Sequence, residues 1–94
     1  MKIRWFGEAY EDLVEIKNFI EKDNPVAARE VAQRIKQSVD GLKEYPGKGR
    51  PGRVDGTREL AVPGLPYIIP YRVKKNVVEI LRVLHGSMEW PEEI

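Results

Sequence analysis

The hydrophobic positions of this chain change period twice, and each change marks a new element. Ile3-Arg4-Trp5-Phe6 reads as a short strand that ends at Gly7. From Glu8 the apolar residues Ala9, Leu13, Ile16 and Ile20 fall at spacings of four, three and four, with Phe19 beside them. That is one face of an amphipathic helix, because the helical repeat returns these positions to the same side. Glu11, Asp12, Glu15, Lys17, Glu21 and Lys22 lie mostly off it. Asn24-Pro25 then opens a second helix. The Asn side chain can accept from a free backbone N–H, and proline at the first helical position gives up an N–H that had no partner. Ala28, Val31, Ile35, Val39 and Leu42 form its stripe, and Pro46-Gly47 stops it near Tyr45. A connection of a few residues makes the two helices an antiparallel hairpin.

The second half of the chain alternates instead. Lys48 to Gly56 is a loop in which Gly49, Pro51, Gly52 and Gly56 are interleaved with charges. Three strand-like runs follow: Thr57 to Val62, Tyr67 to Val73, and Val77 to Leu84, the last reaching the only histidine, His85. Pro63-Gly64-Leu65-Pro66 separates the first two, and Lys74-Lys75-Asn76 makes a tight hairpin between the last two. The final run is apolar on both faces apart from Glu79 and Arg82, which predicts a central strand. Pro70 cannot donate to a ladder, so an edge or a bulge is expected there. The order β-α-α-β-β-β gives an α+β fold: a small antiparallel sheet with an N-terminal helical hairpin packed on one face. The 94 residues form one domain, 1–94, with a modest core and no visible repeat or linker.

Composition narrows the function classes. Apolar residues make up 41% and charged residues 33%, as in a soluble globular protein, and no apolar run approaches a membrane span. The start of the chain lacks an apolar signal core, so a cytoplasmic location is expected. There is no cysteine, which excludes disulfides, thiolate chemistry and Cys-based zinc sites. Net charge is +1 overall, but eight basic residues face three acidic ones between Lys48 and Arg82. A local basic patch fits this pattern better than a general nucleic-acid binder.

Arg72 shares parity with Ile68 and Pro70, and Arg82 with Val78, Ile80 and Leu84. If the register lets them meet, Arg58, Arg72 and Arg82 make a cationic face suited to phosphate or carboxylate. The alternative is that they are solvent-facing residues paired with Glu59 and Glu79. His85 is either a general base or a hydrogen-bonded packing residue. With one histidine there is no metal site, no cofactor is called for, and a hydrolase triad has no support despite nearby Ser87. Gly47-Lys48-Gly49-Arg50-Pro51-Gly52 lacks the Walker spacing and reads as a basic loop. Trp90 either packs back over the sheet edge or anchors a partner. Apolar surface left over on the helices would mark a protein-binding groove.

Taken in order, these pieces resemble the RelE/ParE superfamily of toxins from prokaryotic type II toxin–antitoxin systems, the ParE branch in particular. The likeness runs through Trp5, Ala9, Asp12-Leu13, Ile16, Asn24-Pro25, Ala27-Ala28, Leu42, Pro46 and Gly49-Arg50. It is most specific in Thr57-Arg58-Glu59-Leu60, Tyr67 to Val73 and Ile80 to His85. The resemblance implies a toxin silenced by a cognate, ParD-like antitoxin whose segment folds on binding. It implies a hetero-oligomer that reaches operator DNA only through the antitoxin, and no membrane partner. ParE-like proteins poison DNA gyrase; RelE-like cousins cleave mRNA in the ribosomal A site. RelE-like chains carry an arginine just after the aromatic residue that opens the middle strand, and here that position is Ile68. Their cluster at the end of the last strand is replaced by Gly86-Ser87-Met88-Glu89. The expectation is therefore a gyrase poison acting by binding, with Arg58, Arg72, Arg82, His85 and Trp90 as candidate contacts and no assigned catalytic residue. The alternatives are a ribosome-dependent endonuclease using Arg58, Arg82 and His85, or a non-toxic member that only binds an antitoxin. Pro70 departs from the aliphatic residue usual in ParE-like chains.

Overall fold

A computed structural model describes residues 1–92 and 94. Strand β1 (Lys2–Trp5) leads into helices α1 (Gly7–Glu21) and α2 (Pro25–Asp40), the latter continued by a 3₁₀ turn over Gly41–Lys43. Strands β2 (Arg50–Pro51), β3 (Arg58–Ala61), β4 (Tyr67–Lys74), β5 (Val77–Ile80) and β6 (Leu84–His85) follow. The expected cap is in place: Asn24 Oδ1 accepts from Ala27 N at 3.0 Å, with Pro25 at the first helical position.

The sheet runs β1-β5-β4-β3-β2, with β6 beside β4. The α+β class and the helical hairpin on one face are as expected, and β5 is central. The sheet is mixed, however, not antiparallel: β1 runs parallel to β5, pairing Lys2 with Val77 through Trp5 with Ile80. Each tight connection reverses the chain, so β5 is antiparallel to β4 and β4 to β3. Strand β1 has no sequence neighbour to pair with and takes the free edge of β5. Two further differences arise from single residues. Arg50–Pro51, expected as loop, pairs with Arg58 and Glu59. The last strand is broken: Tyr71 pairs with Ile80 but Ile68 with Leu84, so residues 81–83 stand opposite residues 69–70. This is the bulge that Pro70 predicts. The Pro70 carbonyl accepts from Leu81 N at 3.0 Å, and the ring nitrogen, with nothing to donate, falls where the ladder is interrupted.

The β4–β5 turn has Lys75 and Asn76 at φ 51° and 63°, a two-residue turn whose twist matches the strands it joins. Its register places Ile69 and Tyr71 with Val78 and Ile80 against Ile35, Val39 and Leu42 of the helical layer, all fully buried. Each such side chain contributes about 1.5–3 kcal/mol by leaving water. Tyr71 also ties the basic loop to this core: its hydroxyl accepts from Gly49 N at 2.9 Å and donates to Pro46 O at 2.6 Å. Burial raises its pKa above the ordinary tyrosine value, opposed by the Gly49 bond and by Arg58. Gly49 has no substitute here, since a Cβ would stand 2.7 Å from the Tyr71 ring and 2.9 Å from the Glu59 carbonyl. Among the described residues no helix is long and apolar enough to cross a membrane.

Candidate functional site

The register that builds the core also decides where the arginines point. Arg72 lies opposite Glu79, and therefore on the sheet face away from the helices. Arg82 lies on the helix side, where it meets Asp12 of α1, and Arg58, opposite Tyr71, is on that side too. The expected single face of Arg58, Arg72 and Arg82 does not form. Arg72 pairs with Glu79 on the open face, whereas Arg82, in the interrupted stretch 81–83, turns to Asp12 of α1.

Each of the three is engaged internally. Arg82 grips Asp12 of α1 through two bonds, Nε to Oδ2 at 2.7 Å and Nη2 to Oδ1 at 3.0 Å, with Glu8 at 3.4 Å. The Asp12 carboxylate also accepts from Val83 N at 3.0 Å, inside the bulge. The Asp12 bonds hold the Arg82 guanidinium still more firmly in its charged form. Arg72 Nε donates to buried Glu79 at 2.6 Å, with Arg4 at 3.7 Å on the other carboxylate oxygen. The Arg72 hydrogen bond is the main cause of a Glu79 carboxyl held below its ordinary range. Both guanidiniums also approach the Phe6 ring, Arg4 at 5.3 Å and Arg72 at 5.6 Å from its centre. Arg58 Nη1 donates to two carbonyls, Gly49 O at 2.8 Å and Gly47 O at 3.3 Å.

A second buried carboxylate, Glu59, organises the rest of the open face. It accepts from Arg50 Nη2 at 3.2 Å and from Arg53 N at 2.9 Å. The Arg53 guanidinium then lies 3.6 Å from the ring centre of Trp90. Trp90 Nε1 reaches His85 O at 3.4 Å. Trp90 thus packs against Arg53 and the His85 backbone.

His85 lies opposite Tyr67 at the other end of β4, its ring edge-on to Tyr67 with centres 5.8 Å apart. Its Nδ1 accepts from Ser87 N at 3.2 Å and sits 2.7 Å from Ser87 Oγ, a local turn two residues long. The His85–Tyr67 pair forms one wall of a cavity of about 170 Å³ whose other wall is Asp12, Glu15 and Ile16 of α1. Burial raises the Tyr67 pKa above the ordinary range. Arg82 and His85 both line this cavity, with the Arg82 guanidinium occupied by Asp12. Arg58 does not join them: it pairs with Tyr71 and His85 with Tyr67, four positions and about 13 Å apart along β4. Among the described residues no group of three or more histidine, aspartate or glutamate side chains is placed to hold a metal.

The sequence pattern missed Asp12, whose carboxylate stitches α1 to the bulge. Its signal was its position, one residue from Leu13 and four before Ile16 on the inward stripe. It also missed Tyr71 as the anchor of the 46–49 loop, whose ring leaves no room for a side chain at Gly49.

The model for the ParE toxin of the type II toxin–antitoxin system parDE matches residues 3–90. The chain belongs to this ParE toxin family. It is 52% identical over 91 residues to Y4kP of Sinorhizobium fredii, named as a toxin candidate, covering 97% of this chain and 94% of that protein. It is 35% identical over 86 residues to Toxin RelE2 of Caulobacter vibrioides, covering 92% and 96%. Among solved structures, a chain of the chromosomal ParDE system from P. aeruginosa superposes with a TM-score of 0.85 at 32% identity, covering 90% of this chain and 95% of that one. A chain of the RelBE2 toxin–antitoxin complex from Mycobacterium tuberculosis shares the fold, with a TM-score of 0.63 at 24% identity.

Proposed function

We propose that this ParE-family chain poisons DNA gyrase by binding it, and that a cognate antitoxin holds it silent until released. The observation that carries the reading is the state of the nuclease candidates: Arg82 and His85 share a cavity, but Arg82 is bonded to Asp12, and Arg58 is bonded to loop carbonyls four positions further along β4. A ribonuclease needs free cations around one phosphate and a group placed to move a proton. Ile68, half-buried opposite Leu84, supplies neither. Likeness to a chain of a ParDE system supports the antitoxin partner. So does apolar surface left on the helices: Tyr10, Val14 and Val26 are exposed, and Phe19 is 72% exposed. The cytoplasm is where both partners would be met.

The test is induction of the chain alone in a bacterial host, then with its neighbouring antitoxin gene. The expected result is SOS induction with cleaved DNA, abolished by the antitoxin. Rapid loss of translation with cuts in ribosome-bound mRNA would replace this reading with the endonuclease one, which similarity to a protein named Toxin RelE2 favours. Unimpaired growth would leave only antitoxin binding.

A further inference from the structure

Seven of the eight arginines of this protein are anchored, in two ways; Arg29 on α2 is not among them. Arg4, Arg50, Arg53, Arg72 and Arg82 each meet a carboxylate, which offsets their charge. Arg34 and Arg58 are fixed by backbone carbonyls instead: Arg34 Nη2 on Pro63 O, and Arg58 Nη1 on Gly47 O and Gly49 O. A carbonyl orients a guanidinium without neutralising it, so these two cations keep a full charge to offer outward.

Arg34 is aimed by its surroundings. Its acceptor, Pro63 O, belongs to the turn that follows β3, and the next residue, Gly64, has φ 74°. A Cβ at Gly64 would stand 2.9 Å from Arg34 Nη2, so the bare backbone makes room for the guanidinium. Arg34, Gln37 and Ser38 share one side of α2, being three and four residues apart. With Lys48, Val62 and Pro63 they line a cleft of about 280 Å³. Every polar side chain of this lining can donate: a guanidinium, an amide, a hydroxyl and an ammonium. No carboxylate lines the cleft, and among the described residues neither Arg34 nor Lys48 forms an ion pair. Arg58, held on the carbonyls either side of Lys48, carries the positive surface beyond the cleft.

We propose that this cleft binds a phosphate of a nucleic-acid backbone, with Arg34 and Lys48 supplying charge and Gln37 and Ser38 neutral donors. A guanidinium fork beside a compact ammonium suits a tetrahedral oxyanion whose charge is spread over its oxygens. Continuation of the unneutralised surface to Arg58 fits a strand of phosphates better than one small ion. The site is separate from the His85 cavity and does not depend on whether gyrase or the ribosome is the target, since nucleic acid is present in both.

Two measurements on the purified full chain test it: amide NMR with inorganic phosphate, and fluorescence anisotropy with a labelled single-stranded oligonucleotide at several salt concentrations. Phosphate is expected to shift Gln37, Ser38, Lys48 and Val62 ahead of other amides. Arg34→Gln with Lys48→Gln should weaken oligonucleotide binding about tenfold or more, and lower the salt slope by roughly 1.4 for two lost contacts to a single strand. Lys48→Gln alone, which breaks no internal contact, should remove about half of that slope. Lys74→Gln with Lys75→Gln, the same charge loss at the distant hairpin turn, should change binding less than about threefold, as nonspecific screening predicts. The proposal is overturned if both double variants weaken binding equally, if phosphate shifts other amides first, or if a poly-glutamate peptide competes as well as the oligonucleotide. The last outcome would mark the cleft as a contact for an acidic protein.

Discussion

Replacing Asp12 with alanine should be among the most damaging single changes outside the apolar core. The carboxylate accepts three bonds, two from Arg82 and one from Val83 N, and it joins α1 to a bulge seventy residues away in sequence. The side chains of Arg82 and Asp12 are only 21% and 12% exposed. Removing the acid therefore strands a largely buried guanidinium and a backbone N–H together. Breaking a fully buried pair costs about 3–5 kcal/mol. Residual exposure, and Glu8 standing 3.4 Å away as a substitute, reduce the expectation to roughly 2–4 kcal/mol. Urea unfolding of the purified chain, followed by tryptophan fluorescence, measures this directly. Glu8→Ala is the internal control: its side chain is 76% exposed, so it should cost under about 0.5 kcal/mol. A double-mutant cycle of Asp12→Ala with Arg82→Ala should return a coupling above about 1.5 kcal/mol. The reasoning fails if Asp12→Ala lies within about 1 kcal/mol of wild type, or if Glu8→Ala costs as much. It fails in another way if Arg82→Lys keeps full stability yet loses toxicity, because Arg82 would then be a target contact and not the clamp described here.

Gly49→Ala should destabilise by roughly 2–4 kcal/mol, from overpacking against the Tyr71 ring and the Glu59 carbonyl and from loss of the Tyr71 hydroxyl bond; a melting temperature within a degree or two of wild type would contradict it. The Glu79 carboxyl titrates lower in the folded chain than in the unfolded one, chiefly because Arg72 bonds its charged form. The folded state thus holds fewer protons, and the contribution of Glu79 is complete above about pH 4.3 and is lost as pH falls through the lower folded value. Urea midpoints measured from pH 6 down to pH 3 should fall less steeply for Glu79→Gln than for wild type, and equal slopes would refute the assignment.

Much of the fold is legible in one dimension because the interactions that set it are local. The stripe from Ala9 to Ile20 and the Asn24-Pro25 cap specify the helices through contacts within a turn or two. Lys75-Asn76 specifies the hairpin, and Pro70 locates the bulge through the one N–H it lacks. The candidate site was less legible. Its arginines were visible as residues, but their direction depended on a register of one residue, and reading Arg72 and Arg82 as neighbours inverted one of them. The partner that settles Arg82, Asp12, lies on another element altogether.

The sequence by itself therefore determined the helical hairpin, the strands, the place where the last ladder breaks, and a resemblance to ParE-like toxins that its relatives bear out. Only the tertiary structure decided that β1 runs parallel along the edge of β5, which arginines meet a carboxylate, and that Arg34 and Arg58 rest on carbonyls instead. The physical reason is common to all three. Periodicity and capping are properties of neighbours in the chain, whereas an ion pair or a strand edge is a property of neighbours in space.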